Sequence, residues 1–198
     1  MPDKSTRGLA LLGALAATFD LVHGAMDQWF QPGWAAVHKR RRGRGLVSLR
    51  TGQPIGSATA VDGDLVVTED TLGRAGATLH VATYTAGQLA ATVAVTRALG
   101  VRLPARALLT GAAVNAVTHW VLDRGHPVVT AAGWLGKTEY VTGCTVVRRA
   151  GTEPDAWGPG TAGFELDQTA HKLIGWAAAA ITTVIAVRRE TADRGSTT

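Results

Sequence analysis

A single cysteine, few charges and few aromatic residues set the first limits on this chain. Cys144 stands alone among 198 residues, so no intrachain disulfide framework can form. Thiolate metal ligation of the Cys-x-x-Cys kind is excluded for the same reason, and no nucleophile signature surrounds Cys144, which reads as a buried or incidental thiol. Charged residues make up 18% of the chain and aromatic residues 6%. There is no phosphate-binding glycine loop and no internal repeat beyond a recurring Asp/His pairing. Leu and Ile are also sparse in the apolar segments, which are built from Ala, Gly and Thr and leave the mean hydropathy at only +0.10.

What is present is an uneven distribution of charge. Gly8 to Phe30 holds one acid before its His/Asp pair, Ala77 to Val95 and Ala107 to Leu122 hold no Asp, Glu, Lys or Arg, and His171 to Val187 holds only Lys172. With its flanks each stretch is roughly 17 to 23 residues, near the ~20 that span a bilayer's hydrocarbon core. Small residues suit close helix packing inside a membrane. A soluble four-helix bundle is the alternative. The expected fold is therefore all-α, an integral membrane four-helix bundle running up and down as one domain over 1–198, with helices at about 8–30, 77–99, 105–122 and 166–187. Lys4 and Arg7 ahead of Leu9 to Ala17, with Ala14-Leu15-Ala16, resemble a cleaved leader. Apolar character nevertheless continues through Phe19, Leu21, Val22 and Met26 to Trp29-Phe30, as in a spanning helix with interfacial aromatics.

The connections differ in character. The first loop opens on the basic run His38 to Arg44 and continues as an insertion over 44–76, where Asp62-Gly63 between β-prone residues predicts a small β-hairpin-like unit. The turn around Gly100 to Pro104 is short. The third loop runs from Arg124 to about Gly163, with a strand expected at Tyr140 to Arg148 and a Pro/Gly-rich stretch after it. A polar tail is expected over 188–198. The net charge of +5 and pI near 10.0 raise a nucleic-acid reading of the basic run. Beside an apolar helix, attraction to membrane lipids is the simpler account. Lys and Arg are more numerous in the long loops, which places that face on the cytoplasmic side of the membrane.

Chemistry enters through three pairs four residues apart: His23 with Asp27, His119 with Asp123, and Asp167 with His171. Residues at that spacing share a helix face. If the helices alternate in direction, the first and third run toward the long-loop face and the fourth runs away from it. The reversed order in the fourth then brings every Asp nearer that face and every His about one turn, roughly 5 Å, deeper. His80 opens the second helix from the same side. Seven candidate metal ligands, His23, Asp27, His80, His119, Asp123, Asp167 and His171, can meet at one depth.

Imidazole and carboxylate donors suit zinc first, with iron or manganese as alternatives, and seven donors suggest one or two divalent ions. Asp27, Asp123 and Asp167 are candidate catalytic carboxylates, able to take a proton from water activated by the ion. Gln28, Asn115 and Gln168 are candidates for orienting the ligands. Arg124 and Lys172 could bind an anionic substrate such as a phosphate ester, or snorkel to the interface, the preferred role. Tyr84 is read as packing or interfacial. Two functions follow: a metal-dependent hydrolase acting on a lipid or phosphoester, or a non-enzymatic membrane protein that binds metal as a sensor or handles ions. The bland alternative is mutual satisfaction of buried Asp and His without any reaction.

The blocks His23-Gly24-Ala25-Met26-Asp27-Gln28-Trp29-Phe30-Gln31 with Lys39, Leu79-His80-Val81-Ala82-Thr83-Tyr84-Thr85, Val117-Thr118-His119-Trp120-Val121-Leu122-Asp123-Arg124 and Leu166-Asp167-Gln168-Thr169-Ala170-His171 together resemble the bacterial membrane-protein family catalogued as domain of unknown function 3307. The resemblance runs from about residue 19 to 187 and implies a membrane protein without fixing an activity. Residues 44–76 depart from the family pattern as an insertion. A more distant similarity, resting only on His/Asp helices in a membrane bundle, is to membrane-bound metal-dependent hydrolases.

Overall fold

The computed structural model describes residues 4–57 and 63–195. The chain is mostly helical, with one two-stranded antiparallel sheet. Its elements are α1 (Lys4–Gln28), α2 (Gly33–His38), β1 (Leu46–Ser48), β2 (Val66–Thr68), α3 (Glu69–Ala98), α4 (Ala105–Asp123), α5 (His126–Trp134), α6 (Thr138–Gly143) and α7 (Ala162–Gly195).

The four long helices touch pairwise: α1 packs on α3 and α7, and α4 packs on α3 and α7. Leu15 and Phe19 of α1 close against Ala178 and Ala179 of α7. A side chain as small as Ala on the facing helix lets the two backbones approach closely. The same device joins α4 to α7 at Gly111, where a Cβ would run into the Thr182 hydroxyl and come within 3.2 Å of the Ala178 carbonyl oxygen. Two helices are long and apolar enough to cross a membrane, Lys4–Gln28 and Ala162–Arg188. Among the described residues α3 and α4 do not reach that hydropathy. Their inward faces carry His80, Gln88, Thr92, Thr96, Asn115 and His119, all buried.

Several boundaries differ from the sequence expectation, each for a local reason. α3 begins at Glu69 rather than 77, so the last eight residues of the expected 44–76 insertion are helix. Thr68 caps it by accepting from the Thr71 amide, Glu69 and Asp70 lie in the first turn, and the carbonyls of Gly43 and Gly45 accept the amides of Asp70 and Glu69. These are strong helix-start signals but polar ones, invisible to an apolar window. His80 therefore sits three turns inside α3 instead of opening it. The sheet pairs β1 with β2, Val47 opposite Val67. The turn expected at Asp62-Gly63 falls partly outside the described residues, which end at 57 and resume at 63.

The strand expected over Tyr140 to Arg148 does not form. Residues 138–143 are helix α6, and only Val146 makes a β-bridge, to Asp155. No neighbouring strand is available to Tyr140–Gly143, and strand propensity depends on such a partner. The helical bonds from Val141 to the Lys137 carbonyl and from Cys144 to that of Tyr140 satisfy the backbone instead. Cys144 is exposed, so of the two expected roles the buried one is excluded. α7 continues to Gly195, so most of the expected 188–198 tail is helical.

The close α4–α7 approach is directly testable by thermal unfolding in detergent. Gly111→Ala is expected to lower stability by about 1–3 kcal/mol, the penalty of overpacking. Gly13→Ala, whose added Cβ meets nothing within 4 Å, is expected to raise stability by roughly 0.5–1 kcal/mol. Equal effects at the two positions would contradict a tight α4–α7 contact.

Candidate metal centre

The ends of α1 and α4 and the early turns of α3 and α7 come together at the face that carries the two long loops. All seven residues expected to converge do so. Their rings and carboxylates form one connected cluster: Asp27 Oδ1 lies 3.0 Å from His80 Nε2, which lies 3.0 Å from His119 Nε2 and 3.3 Å from Asp123 Oδ2. His119 Nε2 is 3.4 Å from Asp123 Oδ2, and His171 Nε2 is 3.7 Å from Asp123 Oδ1. His23 stacks on His171 with ring centroids 5.2 Å apart.

These separations are those of ligands around an ion. Two donors each roughly 2.0–2.1 Å from a tetrahedral zinc stand about 3.3 Å apart. A proton shared between His80 and His119 satisfies their contact as well, but it leaves the carboxylates unexplained. Asp27 Oδ1, both oxygens of Asp123, Asp167 Oδ1 and His171 Nε2 are buried and accept no hydrogen bond. Such a concentration of unsatisfied acceptors is costly in a protein interior unless a cation answers it. Two groups, Asp27 with His80 and His119, and His119 with Asp123 and His171, have ligand atoms close enough to hold a metal ion.

The seven do not play one role. His171 Nδ1 bonds the Asp167 backbone carbonyl at 2.8 Å, which fixes the proton on Nδ1 and leaves the Nε2 lone pair facing Asp123. The Asp167 carboxylate is turned elsewhere, with Oδ2 2.8 Å from Arg40 and 3.7 Å from His171 Nδ1. His23 Nε2 lies 3.1 Å from the amide oxygen of Gln168 and 3.8 Å from Asp27 Oδ2. Thus His80, His119, His171, Asp27 and Asp123 form the inner set, and His23 and Asp167 flank it. Gln168 does orient a ring, as expected. Asn115 acts one layer deeper, its amide donating to Gln88 Oε1 at 2.8 Å, and Tyr84 lies between the layers with its ring 4.2 Å from that of His119.

Two expectations fail, and Lys172 stays outside the cluster. Gln28 is exposed at the end of α1 and does not enter the cluster. Arg124 does not face a substrate or snorkel: its guanidinium bonds Asp70 at 2.7 Å and the Lys39 carbonyl at 2.8 Å. Lys172 lies on the outer side of α7 at 3.3 Å from Asp20, both side chains 58% exposed. Adjacent helix positions point about 100° apart, so a residue next to a ligand turns away from it.

What the sequence reading missed is the basic run. Lys39 Nζ reaches to 2.8 Å from Asp123 Oδ1, close enough for an ion pair though off the direction of a hydrogen bond, and Arg40 pairs with Asp167. Arg41 donates to the Gly52 carbonyl, and Arg42 donates twice to that of Arg124. The segment can lie this close because α3 presents Gly73 and Gly76 to it. A Cβ on Gly76 would sit 2.9 Å from the Lys39 amide nitrogen, and one on Gly73 would strike the Arg41 carbonyl. Glycines four and seven residues before His80, beside a basic run, were the available signal.

No family model, curated protein or solved structure matches this chain. The arrangement of its own residues therefore carries the functional argument.

The Lys39–Asp123 pair predicts a measurable dependence. With chelator present, Lys39→Met strands a buried carboxylate, and stability in detergent is expected to fall by about 3–5 kcal/mol. The double variant Lys39→Met/Asp123→Asn should recover most of that loss, as a double-mutant cycle would report. An unchanged melting midpoint in Lys39→Met would show that the pair carries no such energy.

Proposed function

We propose that this chain is an integral membrane protein whose α1, α3, α4 and α7 form an up-and-down four-helix bundle around a His/Asp metal centre, and that the centre serves a metal-dependent hydrolase acting on a lipid or phosphoester. The observation that carries this reading is the meeting of three imidazoles and two carboxylates from four helices, with lone pairs converging and acceptors left without hydrogen bonds. Ionisable groups inside membrane segments are expensive and mark function by default. The likeness of four sequence blocks to domain of unknown function 3307 supports the same membrane assignment. Zinc is the ion this donor set suits first, as one or two ions, with iron or manganese able to use the same donors.

His80, His119 and His171, with Asp27 and Asp123, would hold the ion. A divalent ion there supplies a Lewis acid that makes water nucleophilic near neutral pH. Asp123 has an oxygen on each side of the cluster, Oδ2 toward His80 and His119 and Oδ1 toward His171, so it can join two halves of a centre. Asp27, whose Oδ1 lies 3.0 Å from His80 Nε2, would be the carboxylate able to take a proton from water there. Asp167 keeps His171 in the required tautomer, and Lys39 limits the charge that the carboxylates accumulate.

The engagement of Lys39, Arg40, Arg41 and Arg42 by protein groups argues against nucleic acid as a partner. Fixed positive charge on the long-loop face, beside apolar helices, favours membrane lipids as neighbours and a cytoplasmic orientation for that face. The same pairing supports a second reading. Two of the three carboxylates already have a cation, so the cluster could bind an ion, or pass protons, without turnover, as a metal sensor or ion-handling element.

Elemental analysis of protein purified in detergent without chelator is expected to find about one or two zinc equivalents per chain. His119→Ala and Asp123→Ala should lose that metal. Stoichiometric absence of metal would end the proposal. Hydrolysis of generic phosphoesters should fall in Asp27→Ala and Asp123→Ala, and least in Asp167→Ala. Retained metal with no turnover across a broad panel favours the sensor reading. Membrane integration is checked by alkaline carbonate washing, which should leave the protein in the pellet.

A further inference from the structure

A cleft of about 380 Å³ opens between α1 and α7 and reaches the metal centre from the side. Its inner end is formed by His23, His171 and Tyr84, and its walls by Phe19, Leu173 and Trp176. Leu173 and Trp176 are 64% and 56% exposed, so the cleft is continuous with the apolar outer surface of two helices long enough to cross a membrane. Asp20 and Lys172 meet at its rim. The rings of His23 and His171, only 3% and 2% exposed, close its inner end.

From the loop side, by contrast, Lys39 and Arg40 reach in and occupy Asp123 and Asp167. With one divalent ion held by the centre behind the cleft, the three carboxylates and the two side-chain cations would sum to a formal charge of +1, which an anionic group would neutralise. The volume lies at the lower end of the roughly 300–1,000 Å³ of small-molecule sites. It takes a headgroup and the adjoining part of one chain.

We infer that the substrate of the centre is a single-chain amphiphile with an anionic ester headgroup, which enters sideways from the bilayer between α1 and α7. The headgroup lies beside the His23 and His171 rings, held by the charge of the loaded centre rather than by their lone-pair nitrogens, the chain lies along Phe19, Leu173 and Trp176 and continues into the lipid, and Lys172 at the rim guides the negative charge past Asp20. This inference rests on the hydrolase reading for what becomes of the ester, but the binding it asserts can be measured without turnover.

The probe is lysophosphatidic acid carrying a diazirine in its acyl chain, photolysed with the full-length protein in nanodiscs, with adducts mapped by mass spectrometry and metal content read in parallel. Adducts are expected on Phe19, Leu173 and Trp176. Gly175 lines the cleft and an added Cβ makes only an ordinary 3.8 Å contact with Phe19, so Gly175→Leu should fill the space and lower labelling by about tenfold. Gly13→Leu, on an open part of α1, should leave labelling unchanged. Lys172→Met, at an exposed position that the fold does not need, should weaken labelling by the anionic probe and spare that by an uncharged monoacylglycerol probe. Adducts spread evenly over the outer helix faces, or concentrated in the apolar groove between α3 and α4 around Val81 and Val117, would overturn the inference. So would labelling indifferent to both Gly175→Leu and Lys172→Met. Metal present with labelling of that kind removes the cleft and keeps the centre, whereas cleft labelling without metal removes the hydrolase reading alone.

Discussion

A carboxylate shut away from water must be answered by positive charge or by hydrogen-bond donors, and Asp123 has no exposed surface at all. Taking such an ion into a low-dielectric interior costs several kcal/mol even after relaxation. Much of the local architecture follows from answering it. Lys39 supplies charge on one oxygen, which His171 also faces, and His80 and His119 crowd the other. To deliver Lys39, residues 39–42 must lie flat against α3, which Gly73 and Gly76 allow. To hold them there, Arg124 binds the Lys39 carbonyl and Arg42 binds the Arg124 carbonyl, in a reciprocal clasp between α4 and the arm. Asp70 then balances Arg124. A chain of charges thus runs from the centre to the surface, and removing an inner member leaves its partner buried and unpaired.

That chain explains why the site was partly legible in the sequence. The i,i+4 pairs were readable because helix geometry alone puts His23 beside Asp27 and His119 beside Asp123, and the reversed order at Asp167 and His171 needed only alternating helix direction. The convergence of those six residues follows from those two facts, and His80 was placed with them from an apolar segment read as starting beside it. Lys39 and Arg40 were not readable in the same way. Their role depends on tertiary contact with glycines some 35 residues later, and a run of basic residues beside an apolar helix has a simpler local explanation in lipid attraction. Arg124 was misread for the converse reason: adjacency in sequence to Asp123 suggested a shared site, yet neighbouring helix positions diverge.

Fold legibility had a similar limit. Apolar windows located the four long helices but not their ends. The first two turns of α3 are largely polar, Glu69, Asp70 and Arg74 among them, and capping fixes them together with the buried Leu72. α5 and α6 were hidden inside a loop because each is short. The left-handed Gly125 and Pro127 start α5, and Val141 is the one buried residue of α6. Small elements of this kind owe their form to what they pack against, and period counting has too few residues to detect them.

The polar inner face of α3 bears on the proposed membrane bundle. A membrane segment would be favoured by apolar residues, and the proposed centre would require imidazoles and carboxylates in its interior. Below His80 the residues at four-residue intervals are Tyr84, Gln88, Thr92 and Thr96, each no more than 2% exposed. Thr92 and Thr96 donate to the carbonyls four residues earlier, at 2.7 Å each, and Gln88 accepts from Asn115 of α4 at 2.8 Å. The hydroxyls thereby spend their polarity on their own helix, and the two amides share one hydrogen bond across the α3–α4 contact, Gln88 Nε2 and Asn115 Oδ1 remaining without one. Such bonds let α3 and α4 carry a polar stripe facing inward while Leu79, Leu109 and Val117 stay on the outside. Hydropathy averaged around the helix sums both faces and loses the distinction. The two helices that pass a simple hydropathy test, α1 and α7, are the two whose deeper turns pack through Leu15, Phe19, Ala178 and Ala179, where no polar layer is needed to support the centre.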